Sequence, residues 1–168
     1  MSESLIKRTV IITSFKELML YVPFSKISIG EICEKAFLNR KSFYYHFKDK
    51  YDLVNSCFDN DASYLMSASS KEDLEKLYEL CKFLYENRSY YKKLFEIEGQ
   101  NCFSDHLKLR LFGFFMGLGY EINAFCARFF SDAVFCALKD WILSSKCEHY
   151  DSFYPKLKDC IRIDQRVS

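Results

Sequence analysis

Eleven residues, Arg40 to Lys50, hold most of the polar chemistry that a function could rest on. Arg40 and Lys41 open the stretch with two cations. Ser42, Tyr44 and Tyr45 add hydroxyls, His46 an imidazole and Lys50 a further ammonium. Guanidinium and ammonium groups can reach guanine O6 and N7 or a phosphate oxygen. Hydroxyl and imidazole donors suit phosphate contacts, which position a protein without carrying sequence information. The set holds no activated nucleophile, so its chemistry is recognition.

Two short helical patterns position these groups. Ser28 is an N-cap candidate and Glu31 follows three residues later, so Ser28-Ile29-Gly30-Glu31 reads as a capping box. Ile29, Ile32, Cys33 and Ala36 then give one apolar face at helical spacing. Asn39 is a second N-cap candidate and opens a helix over Arg40 to Phe47. In it Phe43 and Phe47 lie four apart on the buried side. A helix over Ser4 to Tyr21, with Leu5, Val10, Ile11, Phe15, Leu18, Met19 and Val22 on a broad face, is expected to cover the backs of both. Pro23 stops it. Two short helices joined by a tight turn form a helix-turn-helix, which lays its second helix in the DNA major groove.

Phe24-Ser25-Lys26-Ile27-Ser28-Ile29 up to Ile32, followed by Ser42-Phe43-Tyr44-Tyr45-His46-Phe47-Lys48-Asp49-Lys50-Tyr51-Asp52-Leu53, resembles the TetR family of bacterial transcriptional regulators. The match covers about Ile6 to Leu53. Downstream, Glu86 to Phe103 is similar to the C-terminal region of a branch that includes regulators of dihydroxyacetone kinase operons. The DNA-binding set expected is Ser28, Asn39, Arg40, Lys41, Ser42, Tyr44, Tyr45, His46 and Lys50, of which the resemblance itself implies Tyr44, His46 and Lys50. Tyr44, His46 and Lys50 act mainly on phosphates in it, with Lys50 in the first turn of the next helix. One of Tyr44 and Tyr45 is expected to pack inward instead. His46, beside Phe47, reads also as a structural histidine. The chain departs from the family at two places. Phe37 stands where the turn usually has glycine, so either the turn is reshaped or Phe37 is strained. Gly30 stands where relatives often carry a polar or basic side chain.

Bulk properties fit this picture. The chain has 168 residues, 49% hydrophobic and 18% aromatic, with 5 Gly and 2 Pro. That supports a real core and long helices, so an all-α fold is expected, without disorder. The net charge is +1, but residues 1–50 carry 9 Lys+Arg against 5 Asp+Glu, and the remainder is mildly acidic. A basic head presented to phosphates is one reading and ordinary charge scatter the other. The 8 Cys form no C-x-x-C, which excludes a zinc framework and reads as small buried hydrophobes in a reducing cytoplasm. His46, His106 and His149 have no ligand companions at metal spacing. No catalytic site, metal or cofactor is expected, and an enzyme is not the reading. The uncharged run Leu111 to Tyr120 is ten residues, too short for a membrane span. A cytoplasmic protein is expected.

The division expected is 1–50 as the helix-turn-helix domain and 51–168 as a helical body. Helix four should run from Asp49 to Ser67, with Ser67 to Ser70 as a linker. Further helices are expected over Lys71 to Asn87, Tyr90 to Glu98 capped by Ser89, Ser104 to Glu121 capped by Ser104, Asn123 to Ser145, and Tyr150 to Ile163. Gly113 and Gly117 suggest close helix approach or a kink. On the eighth helix Phe129, Phe130, Ala133, Val134, Ala137, Leu138, Trp141 and Ile142 form adjacent pairs every four residues. That band is wide enough for a core on one side and a partner on the other. Phe130, Val134, Leu138 and Trp141 are the expected dimer anchors, though they read equally as core. By resemblance the body also holds a pocket for a small apolar or aromatic effector that shifts helix four and changes the spacing of the two readers. Its candidate lining is Tyr64, Phe83, Tyr91, Phe95, Phe115, Met116 and Tyr120, which read also as plain core. The function expected is a homodimeric repressor on a palindromic double-stranded operator, released by that effector or working with a protein co-regulator. The alternative is an interaction-only co-regulator that keeps the fold and has lost specific DNA binding.

Overall fold

A computed structural model describes residues 2–67, 71–118 and 122–162. Among the described residues there are nine α-helices and no strand: α1 (Glu3–Tyr21), α2 (Ile29–Lys35), α3 (Arg40–His46), α4 (Lys50–Ala62), α5 (Lys76–Glu86), α6 (Arg88–Phe95), α7 (Phe103–Gly117), α8 (Ala124–Leu143) and α9 (Tyr150–Arg162). Short 3-10 turns stand at Phe24–Lys26, Ser63–Met66 and Lys71–Glu75. No helix is long and apolar enough to cross a membrane among the described residues.

The helix starts are set by short polar caps. Ser2, Asn39, Asp49 and Asn123 each accept a backbone N–H three residues on. Ser28 and Glu31 close the reciprocal capping box. Two expected caps are not used. α7 starts at Phe103 after Cys102, leaving the Ser104 hydroxyl buried without a partner among the described residues. α6 starts at Arg88 after Asn87, ahead of Ser89. Helix four is shorter than expected, because after Ala62 the chain tightens into the Ser63–Met66 turn. Of the expected linker only Ser67 is described.

Ile11, Ile12, Phe15 and Met19 on α1 pack with Ile32 and Cys33 on α2 and with Phe43 and Phe47, all at most 4% exposed. Leu5 and Val10 fall off that face and are exposed. α4 joins this head to the body. Phe58 meets Tyr91 and Phe103 edge-on, at ring centroid distances of 6.2 and 5.5 Å. Tyr51 Oη donates to Glu98 O (3.2 Å) and Asn55 Nδ2 to Asn101 O (3.0 Å). Gly99 is at φ 124°, and a Cβ there would stand 2.9 Å from the Tyr51 hydroxyl, so only glycine fits. Lys93 on α6 donates to Met19 O and Leu20 O at the end of α1. Gly113, by contrast, is exposed and a Cβ would meet nothing, so it mediates no close helix approach.

Asp59 ties α4 to α7 through His106 (2.9 Å) and Arg110 (2.5 Å). Burial pushes its carboxyl up, but the hydrogen bonds from His106 and Arg110 outweigh this and hold it below its usual value. A depressed folded pKa gives stability that is present above the unfolded Asp value, about 3.9, and lost as pH falls through the folded value. Asp59→Asn should therefore be less stable than the wild type at pH 6, with the gap narrowing towards pH 2–3 in urea titrations.

α7 and α8 lie side by side and α9 covers α5. Tyr78 meets Tyr150 and Tyr154 edge-on and its hydroxyl donates to Asp151 (2.8 Å). Arg88 donates to Ile142 O and Ser144 O, satisfying carbonyls at the end of α8. Cys33, Cys57, Cys81 and Cys102 are buried, and burial pushes the Cys57 and Cys81 thiols up to about 12, so both are inert hydrophobes. Trp141 stacks on Phe153 with centroids 4.2 Å apart and its indole N–H donates to Glu148 O (2.9 Å). Trp141→Ala is expected to cost about 3–5 kcal/mol in chemical denaturation.

Candidate nucleic-acid interface

Phe43 and Phe47 turn inward, 0% and 1% exposed, and this fixes which side of α3 faces out. Arg40, Lys41, Tyr44 and Tyr45 are exposed, and Ser42 and His46 are half-buried. Both tyrosines point outward, at 56% and 76% exposure, so neither packs on α1 as one was expected to. Their rings lean instead on Phe43 and His46, respectively.

The cations of the head divide into committed and free. Lys7 pairs with Glu3, Lys16 with Asp61 and Lys35 with Glu17. The Arg8 guanidinium lies 5.4 Å from the Phe47 ring centre. Arg40, Lys41, Lys26 and Lys48 make no ion pair among the described residues. The Arg40 guanidinium lies across the start of α2, where a Cβ added to Gly30 would meet it at 3.1 Å. The glycine therefore makes room for a cation from the next helix, in place of a side chain of its own.

Ser28 and Asn39 are exposed but spend their side-chain oxygens on capping, at 3.1 and 2.8 Å from the N–H groups of Glu31 and Ser42. Their part is to fix the two helices. Lys50 departs from the expected phosphate contact. Its ammonium donates to Phe24 O (3.0 Å) and Ile27 O (2.6 Å) and lies 4.5 Å from the Phe24 ring centre. Burial lowers its pKa, with Glu31 opposing. The link between the first two helices holds this lysine on the protein's own carbonyls.

Lys41, Ser42, Tyr45 and His46 face Ser2, Ser4 and the Glu3–Lys7 pair across a cleft of about 560 Å³ between the start of α1 and α3. Burial, and then the Arg8 and Lys7 charges, lower the His46 pKa. The imidazole, the hydroxyls and the unpaired Lys41 ammonium of this cleft can hydrogen-bond phosphate oxygens and base edges.

The turn between α2 and α3 keeps its tight form. Phe37 N donates to Glu34 O (3.1 Å) and Leu38 N to Cys33 O (2.9 Å). Phe37 takes φ 53°, so the strained outcome is the one realised, costing on the order of 1–2 kcal/mol for a side chain with a Cβ.

α8 corrects the expected dimer anchors. Val134, Leu138 and Trp141 are 2%, 0% and 6% exposed, because α7, α9 and Tyr85 take that side. They belong to the protomer's own core. Phe130 is half-buried against Phe115. The side left open carries Phe125 (79% exposed), Phe129 (62%), Ala133 and Cys136. Phe125 and Phe129, four residues apart, were the legible signal for it.

Among the described residues the expected effector lining is divided between core and surface. Phe83, Tyr91, Phe95 and Phe115 are ring-packed into the core with Phe103, Phe135 and Phe114. Tyr64 and Met116 are exposed, and Tyr120 lies outside the described residues.

Residues 11–57 match the family model described as bacterial regulatory proteins, tetR family, and residues 72–162 match that of a transcriptional regulator C-terminal region. Over 100 residues the chain is 31% identical to the HTH-type dhaKLM operon transcriptional activator DhaS of Lactococcus lactis subsp. lactis strain IL1403. That stretch is 58% of this chain and 54% of the relative, so the match spans about half of the relative's length. A solved structure of the dihydroxyacetone kinase operon activator DhaS superposes with a TM-score of 0.66 at 22% identity, covering 95% of this chain and 98% of that one. NalD, the secondary repressor of the MexAB-OprM multidrug efflux pump in Pseudomonas aeruginosa, gives 0.57 at 20% identity over 96% of each chain. These two likenesses show a shared fold.

Proposed function

The chain belongs to the TetR family of bacterial transcriptional regulators, which are not enzymes, and from that premise we propose that it works as a homodimer, setting two α3 helices in successive major grooves of a palindromic operator. The observation that carries this reading is the outer face of α3, where Arg40 and Lys41 are exposed and unpaired among the described residues beside Tyr44, Tyr45 and His46. In this reading residues 1–50 contact DNA and residues 51–168 pair the protomers and support the heads.

Symmetry is a physical need. One short reading helix has too small a footprint for selective binding, whereas two about 34–36 Å apart match one face of the duplex. The open side of α8, with Phe125 and Phe129, supplies the pairing surface. The proposed sign is repression, which needs only occlusion of a promoter by the bound dimer. The relatives divide on this point: DhaS is named an activator and NalD a repressor. No step of the proposal runs through an effector. The competing co-regulator reading drew on Phe37 and Gly30. The turn keeps its hydrogen bonds and Gly30 accommodates Arg40, which supports DNA binding instead.

A mobility-shift titration with the chain's own upstream DNA tests the proposal. Binding should weaken in Tyr44→Ala and Lys41→Ala and fall steeply with salt. Affinity that both variants leave untouched would remove α3 from the interface.

A further inference from the structure

Phe37 combines two features that give the protomer nothing. Its backbone sits at φ 53°, a region open to glycine and unfavourable to a side chain with a Cβ. Its ring is 95% exposed, more than any other large hydrophobic side chain described. The strain is not repaid by packing, and left-handed backbone at a bulky residue gathers where a site needs a group held in one place. The turn fixes that place. Hydrogen bonds from the N–H groups of Phe37 and Leu38 lock it between α2 and α3, and Asn39 caps α3 two residues further on.

In a helix-turn-helix the first residues of the second helix are the ones that reach base edges. Phe37 stands in the turn that leads into that helix, three residues ahead of the exposed Arg40 and four ahead of Lys41. An exposed apolar ring in the turn leading into two exposed cations suits a partner that offers both negative charge and carbon–hydrogen surface. A nucleotide does so, through its phosphate and through either a thymine 5-methyl group or the edge of its deoxyribose. We infer that Phe37 is an apolar DNA contact of this chain, its ring packing on the carbon–hydrogen surface of an operator nucleotide. This rests on the DNA-binding reading above.

The test measures fluorescence anisotropy of the full chain on its footprinted operator, beside a scrambled duplex of equal length. Phe37→Ala removes the ring and keeps the left-handed Cβ, and Phe37→Gly removes both. Each should bind the operator about 3–10-fold more weakly, in the range of a single lost base contact, and the scrambled duplex unchanged. Phe37→Gly should also melt about 2–4 °C higher, since the strain is relieved. Replacing operator thymines by uracil separates the sources. If the ring meets a methyl group, the wild type loses a similar factor and the variants lose nothing more. If it meets deoxyribose, uracil changes nothing and the variants still bind weakly. Either result supports the contact. Wild-type operator affinity in both variants would overturn it, and reduced reporter transcription at unchanged affinity would assign the ring to a protein partner instead. A wild type that binds neither duplex would remove the DNA-binding reading itself, and this inference with it.

Discussion

Changing Arg40 and Lys41 together to alanine lowers operator affinity by roughly 10²–10³-fold. Both side chains are exposed and neither makes an ion pair among the described residues, so little inside the protomer is lost with them beyond the Arg40 guanidinium's place across Gly30. In a dimer the change removes four cations, each worth on the order of 1 kcal/mol or less at a phosphate and more at a base. The salt dependence should flatten with it: the slope of log affinity against log salt falls by about 0.9 for each phosphate contact removed. Circular dichroism and melting should stay near the wild type. Anisotropy across a salt series checks all three. Full affinity in the double variant would mean that this end of α3 does not face DNA.

Phe129→Asp is expected to separate the protomers while leaving each one folded. Phe129 is 62% exposed and Phe125, one turn earlier, 79%. A charge at that position costs the isolated chain little but would be buried unpaired if two copies met there. Losing the pairing turns a two-headed binding event into two independent ones, and linkage of this kind is worth roughly 10²–10⁴ in avidity. The variant should sediment as a monomer at micromolar concentration, keep its helix content and lose operator binding by a factor in that range. Trp141→Ala gives the opposite pattern, since Trp141 stacks inside its own protomer on Phe153. It should destabilise the fold without dissociating the dimer at a temperature where the chain stays folded. A Phe129→Asp protein that remains dimeric would place the pairing surface elsewhere.

The head was the most legible part of the chain, because its signals are local. Ser28 with Glu31, Asn39 with Ser42, and Phe43 with Phe47 each lie within four residues, and the structure uses each as expected. What local spacing could not supply is long-range partnership. Nothing around Lys50 announces that the carbonyls of Phe24 and Ile27, more than twenty residues earlier, will take its ammonium. The departure at Phe37 was visible as a residue type, but whether the turn would reshape or strain depends on hydrogen bonds from the Phe37 and Leu38 N–H groups to the Glu34 and Cys33 carbonyls, which only the folded turn provides.

On α8 the adjacent pairs drew a band of apolar residues wide enough for two faces. Which face turns inward is decided by where α7 and α9 pack, and they cover Val134, Leu138 and Trp141, leaving Phe125 and Phe129 outside. The aromatic lining expected for an effector is divided between core and surface for a related reason. Phe83, Tyr91, Phe95 and Phe115 can fill space as readily as they can surround it, and composition does not distinguish the two.

The central claim is that two copies of α3 face one duplex together. Hydroxyl-radical footprinting of the upstream DNA measures this most directly. Two protected patches are expected on one face of the duplex, related by two-fold symmetry and centred about one helical turn or a whole multiple of it apart. Both patches should disappear in the Arg40→Ala, Lys41→Ala double variant. A single unsymmetric patch, or protection that the double variant leaves unchanged, would contradict it.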